Sequence, residues 1–113
     1  MRIVTICGSV TKTPKQYWDD YAQKLTLEGC CVFMVNVWGL REWLHGEGKK
    51  TKELLDRVHF EKIFMSTEVH VLRMDGYVGQ STRNEINYAL SREIPVKYVD
   101  FSSIESKEVR RSE

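Results

Sequence analysis

Four short apolar runs, separated by stretches of helical period, constrain this chain more than any other feature. RIVTIC (2–7), CCVFMVNVW (30–38), EVHVLRM (68–74) and IPVKYVD (94–100) are rich in β-branched residues and flanked by turn formers, the signature of buried strands. Between the first two, Tyr17, Tyr21 and Leu25, with Trp18 and Ala22 beside them, form a helical stripe. Thr13 is placed to cap that helix with Pro14 at its first position, and Gly29 to end it. Residues 51–67 read as a second helix with Leu55, Val58 and Ile63 inward, and a third runs from the glycines after Met74 to about Arg92. Residues 39–50, with three glycines, read as a loop or a short helix plus loop. Strands alternating with helices imply a parallel sheet with right-handed crossovers. The expected fold is therefore α/β: a small Rossmann- or flavodoxin-like three-layer domain over residues 1–101, with a mainly parallel sheet of four to five strands. Residues 102–113 form a polar tail, disordered or a short helix.

The 113 residues suit one domain with one core. A net charge of +1, from 17 basic and 16 acidic side chains, lacks the basic excess of a dedicated nucleic-acid binder and favours a small-molecule ligand. The apolar run at the N-terminus is too short for a signal-peptide core or a membrane span. Cys7, Cys30 and Cys31 are an odd number, and adjacent Cys30 and Cys31 point to opposite faces of a strand. Reduced thiols in a cytoplasmic protein are the simplest account. The three cysteines and three histidines show no metal-ligand spacing, so no metal and no cofactor is expected.

Ligands of open α/β sheets bind beyond the carboxyl ends of the strands, where strand order reverses. Those ends carry Cys7-Gly8-Ser9, Asn36-Val37-Trp38 and Met74-Asp75-Gly76. Gly8-Ser9, and Gly79-Gln80-Ser81-Thr82 entering a helix, offer backbone N–H groups and hydroxyls to an anion. Neither is a dinucleotide fingerprint or a P-loop, and both have a bland alternative in which the glycines serve the turns and Ser81 or Thr82 caps the helix. Glu85 also has two readings. Thr82-Arg83-Asn84-Glu85 matches the capping box T-x-x-E. Equally, a carboxylate in the first helical turn stays ionised beside the helix dipole and points over the strand ends, where it can attack a sugar's anomeric carbon. His59, between Leu55 and Ile63 on one helical face, is either a proton donor or acceptor or a packed core-edge histidine. Trp38, Trp43 and His45 offer a wall for a base to stack on, or core and interface contacts.

ICGS at the end of the first strand, with DGYVGQSTRNEINYALSREIPVKYV, resembles the nucleoside 2-deoxyribosyltransferase superfamily, which includes N-glycosidases of deoxynucleoside 5′-monophosphates. The shared element is a Gly/Ser/Thr-rich turn, Glu85-Ile86-Asn87-Tyr88-Ala89, then Ile94-Pro95-Val96 entering a strand. The resemblance implies that Glu85 is the nucleophile, attacking C1′ and expelling the base, with the sugar passed to water or a second base. It places Ser9 at a 5′-phosphate, with Cys7, Gly8, Gly79, Ser81 and Thr82 around the substrate; Trp38 stays a candidate wall for the base, and Asp75 either reaches the sugar hydroxyls or only closes its turn. It implies a homodimer whose neighbouring subunits help to complete the site. Three positions differ from the family pattern. His59 stands where the family carries an Asp that assists at the base, Gly79 where Asp or Ser is usual, and Thr11-Lys12 where an Arg follows the CGS turn. The expected function is thus cleavage or transfer of an N-glycosidic bond, or binding of a nucleotide or nucleotide-derived signal without turnover.

Overall fold

A computed structural model describes residues 1–34 and 48–104. The order is β1 (Ile3–Gly8), α1 (Lys15–Leu27), β2 (Cys31–Met34), α2 (Gly48–Phe64), β3 (Glu68–Met74), α3 (Gln80–Ser91) and β4 (Val96–Phe101). The four strands form one all-parallel sheet in the order β2-β1-β3-β4, a flavodoxin-like α/β fold. The chain moves from β1 to β2 on one side and returns past β1 to β3 and β4 on the other. With crossovers of one hand, that reversal sends α1 to one face of the sheet and α2 and α3 to the opposite face.

The two cores follow from strand alternation. Val4, Ile6 and Leu72 pack with Trp18, Tyr21 and Leu25 of α1. Cys7, Val69 and Val71 pack with Ile63 of α2 and with Ile86 and Ala89 of α3. β1 and β3, central in the sheet, are buried on both faces, which is why their sequences read as apolar runs rather than alternating ones. One polar chain crosses the α1 face. Tyr21 Oη lies 2.6 Å from His70 Nδ1, and His70 Nε2 lies 2.6 Å from Glu68 Oε1. Arg2 holds Glu68 through two hydrogen bonds and pulls its carboxyl down to about 2.

Several local expectations need correction. α1 begins at Lys15 with Pro14 in the cap position, and Thr13 makes no side-chain cap bond. The segment is instead held by main-chain contacts: Thr13 N–H donates to Ser9 O, and Trp18 Nε1 donates to Thr13 O. Thr13 Oγ1 is left buried without a partner. Thr13→Val keeps the shape and removes the orphaned hydroxyl, so the variant is expected to be as stable as the parent or more so by about 1 kcal/mol. Chemical denaturation of both proteins tests this, and a clear loss of stability would show that the hydroxyl has a partner.

α2 begins at Gly48, three residues earlier than expected. Val58 belongs to its outer face, 39% exposed, whereas Ile63 is fully buried. The turn after β3 is tied down by Asp75, at φ +52, whose carboxylate accepts from Ser103 N and Ser103 Oγ. Trp38, Trp43 and His45 lie outside the described residues. Among the described residues, no helix is long and apolar enough to cross a membrane.

Candidate functional site

The reversal of strand order falls between β1 and β3, and a cavity of about 340 Å³ opens there beyond their carboxyl ends. That volume is within the range of small-molecule sites. Gly8 to Thr11 form one wall, Gly79 to Thr82 a second, and Lys52, Leu55, Asp56 and His59 of α2 a third, with Glu85 at the base. Gly8, Ser9, His59, Gly79, Ser81, Thr82 and Glu85 therefore meet around one space, although 77 residues separate the first from the last.

The β1–α1 turn is shaped by Ser9, whose Oγ accepts from Lys12 N at 3.1 Å and lies 3.1 Å from Thr11 Oγ1. At the second wall Gly79, in extended backbone (φ −80, ψ 173), is the cap residue of α3, and no side chain caps the helix. The first N–H groups of α3 thus face the cavity rim without a side-chain acceptor. Lys12 Nζ sits 5.6 Å from the centre of the Tyr77 ring, linking the loop after β1 to the loop after β3.

The capping-box reading of Glu85 does not hold. Arg83 N donates to Gly79 O, so the helix starts at Gln80 and Thr82 is its third residue. Glu85 lies in the second turn with no cap to close. The expectation that the dipole keeps it ionised fails for the same reason, because the dipole's influence fades beyond the first turn. Burial dominates instead. Glu85 is 6% exposed, and its carboxyl is pushed up to about 7, chiefly by burial; a hydrogen bond from Cys7 pulls the other way and the charge of Asp56 adds to the rise. Glu85 Oε2 is buried with no hydrogen-bond partner. It lies 3.8 Å from His59 Nδ1, too far for a hydrogen bond.

Cys7 is fully buried beneath the cavity and does not line it. Its thiol, pushed well above the usual range by burial and by Glu85, stays protonated and donates to the Glu85 carboxylate. The residue thus holds the acid rather than meeting a ligand. His59 is pulled below its usual value, first by burial and then by Lys62, so its imidazole is neutral at pH 7. Asp75 is exposed and bonded to Ser103, away from the cavity.

Asp56 and Lys52, paired at 2.9 Å, line the cavity; Lys52 reads from the sequence as a solvated helix start or a phosphate attractor, and Asp56 was not singled out. Helical spacing carried the signal: 52, 56 and 59 fall on one face, the face that His59 already marked. The arrangement brings two carboxyls, a neutral imidazole, an ammonium and a set of hydroxyls and backbone donors to one concave space. It can bind a polar ligand, attack an electrophilic carbon with a carboxylate, and exchange a proton.

Fold and site together define a flavodoxin-like α/β domain with an acid-based cavity at its strand-order reversal. No family model, curated protein or solved structure matches the chain.

Proposed function

We propose that this protein cleaves or transfers the N-glycosidic bond of a nucleoside or nucleotide, with Glu85 as the nucleophile. The observation that carries the reading is the buried, unpartnered Oε2 of Glu85 at the base of the rim cavity. A carboxylate oxygen without hydrogen bonds keeps its full nucleophilicity, and the Cys7 thiol orients the group while drawing little charge from it. The resemblance of the ICGS and Glu85-Ile86-Asn87-Tyr88-Ala89 segments to the nucleoside 2-deoxyribosyltransferase superfamily points to the same chemistry.

In the proposed first step Oε2 bonds to C1′ of the sugar and the C1′–N bond breaks, its electron pair leaving with the base. The departing base takes its proton from solvent water held against the α2 wall, where Asp56 and His59 stand. In the second step water, or the nitrogen of another base, attacks C1′ and the bond to Glu85 breaks. Neutral His59 takes the proton from the attacking group. Ser9, Ser81 and the N-terminus of α3 hold the sugar or its phosphate.

A glycosyl trap tests this. Incubation with a nucleoside carrying fluorine at C2′, which slows breakdown of the intermediate, is expected to add one sugar residue to the peptide containing Glu85, as read by mass spectrometry. A panel of unmodified nucleosides and 5′-monophosphates should release free base. Binding without turnover is the second reading, favoured by Gly79 and His59 standing where the resembled family carries acids. Thermal stabilisation by nucleotides, with neither adduct nor base released, would select it and reject the enzyme.

A further inference from the structure

We propose that the hollow between α3 and the β3–β4 side of the sheet binds a small phosphate monoester, separately from the cavity over Glu85. The hollow has a volume of about 370 Å³ and shares no lining residue with the Glu85 cavity. Arg73 and Tyr98 of the strands line it from one side, and Arg83 and Asn87 of α3 from the other. Arg73 follows Val71 on the α3 face of β3, and Asp100 of β4 is its cross-strand partner. On α3, Arg83 and Asn87 stand one turn apart on a single stripe, while Glu85, between them in sequence, lines the other cavity. Among the described residues, no carboxylate lines the hollow.

One donor group is fixed before any ligand arrives. Arg73 Nε donates to Asp100 Oδ1 at 2.6 Å, and Nη2 to Asp100 Oδ2 at 2.9 Å. The central carbon of the guanidinium lies 4.2 Å from the centre of the Tyr98 ring. Carboxylate and ring together hold the fork in place, yet they engage only one of its edges. Nη1 and the second proton of Nη2 have no acceptor among the described residues. Arg83 and Asn87 are exposed, and neither has a hydrogen bond or ion pair among those residues. Two guanidinium groups at one hollow repel each other, and only Asp100, already engaged, offsets them. An anion relieves that repulsion, and the directions of the donors set its shape. A carboxylate offers two oxygens on one edge and satisfies a single fork. Donors that approach from β3 and from two turns of α3 suit the three oxygens of a phosphate group. Val78 and Ile86 add apolar lining beside them, where the organic part of a monoester can rest. This inference stands apart from the glycosidic reading and does not need it.

NMR of the whole chain titrated with phenyl phosphate, at constant pH and ionic strength, tests this. The side-chain N–H signals of Arg73, Arg83 and Asn87 and the backbone amide of Gly76 are expected to shift together, with one dissociation constant. Arg83→Gln should raise that constant by about tenfold or more, with circular dichroism and thermal midpoint unchanged because the side chain is exposed. Arg73→Lys keeps the charge and loses the fork, and should weaken binding by a similar factor. Inorganic phosphate should bind several times more weakly than phenyl phosphate, and benzoate should leave the four signals in place. Shifts confined to Ser9, Ser81 and Thr82 would put the phosphate in the Glu85 cavity alone and overturn the proposal. Benzoate or inorganic phosphate binding as tightly as phenyl phosphate would overturn it too, as would an Arg83→Gln variant that binds like the parent.

Discussion

Glu85→Gln is expected to lower base release by roughly a thousandfold or more while making the protein more stable at alkaline pH. The first effect follows from chemistry: an amide cannot supply the oxygen nucleophile. The second follows from the sign of the carboxyl's displacement. In the unfolded chain this carboxyl titrates near 4.5, and in the folded protein near 7. Below pH 4.5 both states hold the proton and the group costs nothing. Between 4.5 and 7 the unfolded chain releases its proton first, so the stability associated with the neutral, buried carboxyl is lost as pH rises through the folded value. Above 7 the loss is complete, and the displacement corresponds to about 3 kcal/mol. Gln carries no such penalty. The stability difference between variant and parent should therefore widen by about that amount from pH 4.5 to pH 8, while groups common to both proteins cancel. Base release by the parent should rise with pH through about 7, as the nucleophile sheds its proton. Denaturant melts at several pH values, beside the activity profile, give both readouts. A variant that still turns over removes Glu85 from the reaction, and a stability difference flat in pH shows that the carboxyl is not buried as described.

The strands were legible because β1 and β3 are buried on both faces, and burial of that kind forces uninterrupted apolar sequence. β3 lies where expected, at 68–74. The rim was legible for a related reason: an open parallel sheet has one place where polar and glycine residues cluster, and Gly8, Ser9, Gly79, Ser81 and Thr82 fall there. What misled was local pattern in conflict with tertiary contact. Thr82-x-x-Glu85 is a sound capping box in isolation, but the helix starts earlier, at Gln80, because Gly79 takes the cap position and its carbonyl accepts the first helical bond. Val58 fits an inward stripe by composition and faces outward, because apolar type does not distinguish a face covered by the sheet from an exposed one. Asp56 went unnoticed since a charged residue on a helix is usually solvated, and only the packing of α2 turns it toward the cavity. The burial that lifts the Glu85 carboxyl goes with Cys7 of β1 and His59 of α2 meeting it from two other elements, which no local window contains.

Gly8→Ala should cost about 2–4 kcal/mol, combining strain and overpacking, a large share of the 5–15 kcal/mol that holds a domain of this size together. Gly8 ends β1 at φ +156, paired with Leu72 of β3. A Cβ there would lie 2.9 Å from the Leu72 carbonyl oxygen and 3.2 Å from the Trp18 ring. The carbonyl belongs to a central strand and Trp18 is fully buried, so neither neighbour can give way. The strain must instead part β1 from β3 at their carboxyl ends, which is where the cavity opens. Gly29→Ala provides the contrast. Gly29 has a left-handed φ of +89 but nothing within 4 Å of the added carbon, so its cost is conformational alone, about 1 kcal/mol. Thermal melts should place the midpoint of Gly8→Ala well below that of Gly29→Ala, and ligand binding or base release should fall for the first and not the second. Equal losses in the two variants would mean that the end of β1 tolerates a side chain. The close approach of β1, β3 and Trp18 would then no longer be what shapes the floor of the site.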